Sequence, residues 1–151
     1  MIIVIKKRGL KILVMGLPGS GKTTLSKKLV KLTKSVWLNA DEIRTEFNDW
    51  DFSPEGRIRQ ANRMKKIAQS YVDKQKNIIA DFICPTKKTR ADFNPDYIVW
   101  MNTINEGRFD DTNKMFENPN SEEVDYIVTK KDAETYSKNI YEKIKKKFNF
   151  K

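Results

Sequence analysis

The run "LKILVMGLPGSGKTT", residues 10–24, narrows the folds open to this chain more than any other stretch. Its first part is nearly all apolar, as a strand covered on both faces should be. A glycine-rich loop follows directly. Then comes "KTTLSKKLVKLT", residues 22–33, where Leu25, Leu29 and Leu32 recur at helical spacing. Gly16, Gly21, Lys22 and Thr23 fit G-x-x-x-x-G-K-[ST] at every fixed position, between strand and helix as that motif requires. Glycines there let successive N–H groups turn inward on phosphate oxygens, and the helix aims its positive end at the same anion. Gly16, Leu17, Pro18, Gly19, Ser20, Gly21, Lys22, Thr23 and Thr24 are therefore expected to cradle the phosphates of ATP. Lys22 would reach the β- and γ-phosphates, and the Thr23 hydroxyl would be a ligand of Mg2+.

The rest of the chain keeps alternating between strand and helix patterns. "MIIVI" and "LKILVM" read as two strands, arranged as a hairpin, with an edge open to pairing in a homodimer. "SVWLN" is a short strand, and residues 41–48 a short helix. Ser53 suits the N-cap and Pro54 the first turn of a long helix with Ile58, Ala61, Met64, Ala68 and Tyr71 inward, Gly56 falling in its first turn. "NIIADFI", "PDYIVWMN" and "VDYIVT" read as further strands, and "PTKKTRADF" as a loop or short helix. Residues 104–120 are polar and without period, which predicts a mobile loop or lid. Residues 132–147 form a last helix, with Tyr136, Ile140 and Ile144 inward and Lys138, Lys143, Lys145 and Lys146 on its outer face. The pattern predicts one α/β domain over residues 1–151, a three-layer sandwich of the P-loop NTPase and kinase type with a mostly parallel sheet. Ligands of such sheets lie beyond the carboxyl ends of the strands.

Composition removes several chemistries. The chain has no histidine, so histidine bases, triads and metal sites are excluded. Cys84 is its one cysteine, which excludes an intrachain disulfide and a cysteine zinc cluster. A proton acceptor near neutral pH must then be a carboxylate. Thirty basic against 20 acidic residues leave a net charge of +10. The lysines are scattered, which favours a solvated surface, while nucleic acid, a membrane surface or a small polyanion would also suit the excess. "MIIVI" is too short for a signal peptide or a membrane span, so the expectation is a soluble cytoplasmic protein with no membrane partner.

The rim facing the phosphate loop carries the acceptor chemistry. In "LNADEIR", Asp41 and Arg44 stand three apart on one helical face. A carboxylate there can orient and deprotonate a hydroxyl, and a guanidinium can grip an anion. The alternative is a helix-start charge beside a surface arginine. Phe52 and Arg57 in "DFSPEGRIRQ" suit a stacked ring and an anion; packing and solvent are the plain alternatives. Asp81 ends the strand in "NIIADF" where a magnesium-holding aspartate would sit, or where a strand-end aspartate makes turn hydrogen bonds.

From about residue 10 to 92 these motifs resemble adenylylsulfate kinase. "GLPGSGKTT" resembles its P-loop, "NADEIR" its aspartate–glycine–aspartate–x–x–arginine motif, "DFSPEGRIRQ" its "GFS…R…N" segment and "FICP" its "FISP" strand end. The resemblance implies transfer of the ATP γ-phosphate to the 3′-hydroxyl of adenylyl sulfate. It implies that Asp41 orients that hydroxyl, that Arg44 and Arg57 hold the substrate anion and that Phe52 contacts the adenine. Gln60, Phe82, Ile83, Cys84 and Pro85 would line the substrate pocket. The sequence departs from the family with Asn39 for the first aspartate, Gln60 for an asparagine and Cys84 for a serine. The family's lid pattern is replaced by "INEGRFDDTNKMFENP", where Arg108 and Lys114 are the candidate lid cations. Two other readings fit: a polynucleotide 5′-hydroxyl kinase, for which Asn39 and the basic charge are at least as suitable, and a non-catalytic nucleotide-binding module.

Overall fold

The computed structural model describes residues 8–150. Five parallel strands form one sheet in the order β2-β3-β1-β4-β5. They are β1 (Lys11–Met15), β2 (Val36–Asn39), β3 (Ile78–Asp81), β4 (Tyr97–Met101) and β5 (Tyr126–Val128). Helices follow them: α1 (Lys22–Thr33), α2 (Ala40–Phe47), α3 (Pro54–Asp73), α4 (Lys87–Phe93), α5 (Asp110–Met115) and α6 (Ala133–Phe148). The α/β sandwich with a parallel sheet is the expected architecture. The "MIIVI" strand and its hairpin lie outside the described residues. No helix among those described is long and apolar enough to cross a membrane.

Strand alternation divides the core in two. Leu13 and Met15 join Ile78, Ala80 and Ile98 on one face, under Ile43, Met64, Ala68, Val72 and Phe93. Ile12 and Val14 join Ile79, Val99 and Met101 on the other, under Leu25, Leu29, Ile140 and Ile144. Every residue of β1 is buried, including Lys11. The Lys11 stem runs through the core and its ammonium donates to Gln69 Oε1 at 3.1 Å and to the Phe93 carbonyl at 2.9 Å, so the charged group is not left without acceptors.

Local signals set most element ends. Asn39 caps α2 by accepting from Glu42 N–H at 3.0 Å. Ser53 caps α3 by accepting from Gly56 N–H at 3.1 Å, with Pro54 in the first turn. Thr86 and Thr89 form a reciprocal capping box on α4, which makes "PTKKTRADF" helical from Lys87. Two expectations shift. The inner stripe of α3 is Gly56, Gln60, Met64, Ala68 and Val72, an unbroken i, i+4 ridge, while Ile58 is 62% exposed. The 104–120 segment is not all loop, because Asp110–Met115 form α5 with Thr112 buried beneath it.

Gly56 is inward because nothing larger fits. A Cβ there would lie 2.1 Å from the Asp51 carbonyl oxygen. Alanine is ordinarily the better helix former by about 1 kcal/mol. The clash is expected to outweigh that, so Gly56→Ala should destabilise the fold by about 2 kcal/mol, read from the denaturant midpoint. An unchanged midpoint would show that the 49–52 loop yields freely.

Candidate active site

Parallel register brings the ends of three strands to one rank. Asp81 on β3 pairs with Val14 on β1 and with Asn39 on β2. The phosphate loop begins two residues after Val14 and α2 begins directly after Asn39, so the two start side by side.

The loop has the conformation its glycines predict. Gly16, Gly19 and Gly21 all have positive φ. At Gly16 a Cβ would meet the Met101 carbonyl oxygen at 2.8 Å, so the strand could not pack there with any side chain. The Leu17 carbonyl accepts from Ser20 N–H at 3.1 Å and from Lys22 Nζ at 2.9 Å. From β4's far side the Thr103 hydroxyl donates to the Ser20 carbonyl at 2.7 Å. Burial pushes the Lys22 ammonium down to about 8, against the pull of the Asp81 and Asp41 carboxylates, and Arg108 adds to the push. Lys22, Asp81, Asp41 and Arg108 are thus near enough for their charges to interact.

Asp81 is buried and gathers three donors on Oδ2: Thr23 Oγ1 at 2.9 Å, Asn39 Nδ2 at 3.0 Å and Trp37 Nε1 at 3.3 Å. Among the described residues its other oxygen makes no hydrogen bond, which leaves it for a cation or its water. A hydroxyl and a carboxylate oxygen so close are hard ligands suited to Mg2+, whose remaining positions phosphates and waters can fill. No group of three or more acidic or cysteine side chains that could hold a metal occurs among the described residues. The fit is therefore to a nucleotide-bound magnesium and not to an all-protein cage.

Asp41 is exposed on the first turn of α2. Arg44 is buried, donating to the Asp49 carbonyl at 2.9 Å and the Asp51 carbonyl at 3.3 Å, so one arm of its guanidinium braces the 49–52 loop. Its plane lies 4.3 Å from the centre of the Phe52 ring, and Arg57 lies 5.6 Å from the same ring. Phe52 itself is 53% exposed. A half-exposed aromatic ring with two guanidiniums over it sets apolar surface beside positive charge, which suits a planar group with an anion attached. Asp49 fixes this loop to α3 through Arg59 and Arg63, which together hold its carboxyl well below the usual range. Gln60 donates to the Ala40 carbonyl at 2.9 Å, and its buried Oε1 has no partner among the described residues.

The wall after β3 divides. Ile83 and Pro85 are half-buried and face outward in part. Phe82 turns into the core and packs edge-on against Phe93 at 5.3 Å. Cys84 is fully buried, and desolvation raises its thiol to about 12, so it is inert. Lys114 is exposed on α5. Gly107 brings the 104–120 segment onto the phosphate loop, where a Cβ would meet the Pro18 carbonyl at 3.1 Å, and that seats Arg108 near Lys22.

Sequence reading passed over Trp37, Thr103 and Arg90. Trp37 and Asn39 stand two apart on one strand, and that period points both side chains to the same face as Asp81. Thr103 meets Ser20, and Arg90 meets Glu117 and Glu123, only through tertiary contact.

This combination of sheet order, phosphate loop and strand-end aspartate defines the P-loop kinase fold. The chain is similar to the crystal structure of APE1195, with a TM-score of 0.80 and 20% identity over 93% of this chain and 97% of that one. It is similar to the Mycobacterium tuberculosis APS kinase CysC in complex with AMPPNP and APS, with a TM-score of 0.73 and 19% identity over 93% and 99%. It is also similar to shikimate kinase from Acinetobacter baumannii in complex with shikimate, with a TM-score of 0.64 and 18% identity over 94% and 96%. The family model described as AAA domain matches residues 12–94, more than half of the chain, and the chain belongs to that family. No curated protein sequence matches it.

A neutral Lys22 must take up a proton to meet a phosphate. With the group at about 8, nucleotide binding at pH 8 should therefore absorb about half a proton, and almost none at pH 6. Calorimetry of AMPPNP binding in buffers of differing ionisation enthalpy measures this. Zero uptake at pH 8 would place Lys22 outside the phosphate contact.

Proposed function

We propose that the protein is a magnesium-dependent kinase that transfers the γ-phosphate of ATP to the 3′-hydroxyl of adenylyl sulfate. The observation that carries this reading is the half-exposed Phe52 ring with Arg44 and Arg57 over it, Arg44 being near enough to Asp41 for their charges to interact. A base stacked on that ring would set its anionic tail near the guanidiniums and its ribose near the Asp41 carboxylate. The similarity to an APS kinase solved with AMPPNP and APS supports the same acceptor.

In this mechanism Lys22 and the loop amides carry the charge of the transferred phosphoryl. Asp41 orients the acceptor hydroxyl and takes its proton, and Arg108 closes the site from the lid. Thr23 and Asp81 would hold the magnesium, which neutralises the β- and γ-oxygens when bound. Such transfer depends on positioning and charge stabilisation, so a chain without histidine is equipped for it. The protein would act as a single domain, and the phosphate donor would enter over Gly16–Thr24.

A second acceptor class, the 5′-hydroxyl of a polynucleotide, draws support from the exposed Trp50 beside Phe52, from the exposed Phe47 and from the net charge of +10. Transfer of label from γ-labelled ATP separates the two. Adenylyl sulfate should become labelled and a 5′-hydroxyl oligonucleotide should not; label on the oligonucleotide, with binding that falls steeply with salt, would reverse the assignment. Asp41→Asn should lower kcat by about 100-fold or more with the Kd for AMPPNP unchanged. Equal losses in both would remove Asp41 from the acceptor side.

A further inference from the structure

Arg90 is the largest of the fully buried side chains, only 2% exposed, and the proposed chemistry does not use it. Its planar fork reaches four places. Nε donates to the Cys84 carbonyl at 3.0 Å. Nη2 donates to the Pro85 carbonyl at 3.1 Å and to the Glu117 carbonyl. Nη1 pairs with Glu123 at 3.2 Å. The guanidinium also lies 5.3 Å from the centre of the Phe116 ring. Three of its four partners are therefore backbone carbonyls of two separate loops, and one is its counter-ion. A buried arginine kept for charge pairing alone would not distribute its donors in this way.

The two loops matter to the site as read under Proposed function, and the inference rests on that reading. Cys84 and Pro85 follow β3 and back the acceptor wall. Phe116 and Glu117 are where the lid rejoins the body of the protein. Cys84 has φ of 47°, a left-handed conformation that a cysteine seldom adopts, and Arg90 holds its carbonyl there. The loops also touch directly. Glu117 N–H donates to the Pro85 carbonyl at 2.7 Å, and the Glu117 carboxylate accepts from Lys87 N–H at 3.0 Å. The other end of the lid is fastened elsewhere, by the Thr103 hydroxyl on the Ser20 carbonyl and by Gly107 on Pro18.

We propose that Arg90 is a positioning residue that joins the acceptor wall at Cys84–Pro85 to the lid exit at Phe116–Glu117, so that the two move as one body. The lid then bridges the two halves of the reaction. Its entry follows the phosphate loop, its exit follows the acceptor wall, and a displacement of either is passed to Arg108 between them.

Amide hydrogen exchange on Arg90→Lys tests this without any ligand. A lysine keeps the charge for Glu123 but lacks the fork that reaches both loops. The amides of Cys84, Thr86, Lys87 and of Phe116, Glu117 and Asn118 should exchange at least about tenfold faster, both groups together, while β1 and α1 keep their protection. Acceleration of only one loop, or an equal rise throughout the chain, would overturn the proposal. Should the variant not fold, exchange of the native protein in mild denaturant decides. The Thr86 and Glu117 amides should share one opening transition, separate from that of Gly107, and separate transitions for Thr86 and Glu117 would overturn it. Titration with AMPPNP in parallel tests the nucleotide reading independently. Absence of binding there would sink that reading and leave the joint motion of the two loops intact.

Discussion

One carboxylate oxygen organises the site. Asp81 Oδ2 takes a hydroxyl from the start of α1, an indole N–H from the middle of β2 and a carboxamide from its end. Those three donors come from the helix after the phosphate loop and from two positions of β2. Asn39 uses its two ends for different tasks, since its oxygen caps α2 while its nitrogen holds Asp81. A single buried acceptor thus relates the direction of α2, and so of Asp41, to the phosphate loop. Low dielectric makes such a network worth more complete than in parts.

The reading of Asn39 also changes the meaning of a departure. Set against the resembling motif, it is the loss of an aspartate. In the folded chain it is a neutral donor where a second carboxylate would face Asp81 across a hydrogen-bond distance. Two carboxylates so placed would repel unless one were protonated or a cation lay between them. The substitution leaves one negative charge at that rank, and Trp37 supplies a second donor to it.

The parts legible in the sequence are those governed by local chemistry. The phosphate loop, the strand before it and the helix after it were readable because a glycine-rich turn must lie between them. Ser53 and Pro54 announced α3 for the same reason. The ridge of α3 was misjudged because Ile58 is apolar yet sits outside, while Gly56 and Gln60 sit inside for space and for a hydrogen bond to Ala40. Hydrophobicity alone could not reveal that. Phe82 and Cys84 carry motif resemblance, yet alternation along β3 and a left-handed residue after it turn both inward. Arg90 lies in a stretch that reads only as a loop or short helix, and its join to Glu117 and Glu123, 27 and 33 residues away, has no local signal.

The lid was the least legible segment, and its fastening accounts for that. Its exit is held through main-chain groups of Pro85 and Glu117 and by an arginine outside it, and its entry through the main chain of Ser20. Main-chain anchors place few demands on the residues they hold. Between them only Gly107, Asn113 and Thr112 are tightly constrained, by close approach, by a two-way hydrogen bond to Gly107 and by burial. Such a segment resembles a strap whose buckles are sewn to the body. Outside Gly107, Thr112 and Asn113, its middle carries side chains that neither fastening uses, so residues there can be exchanged without loosening either end.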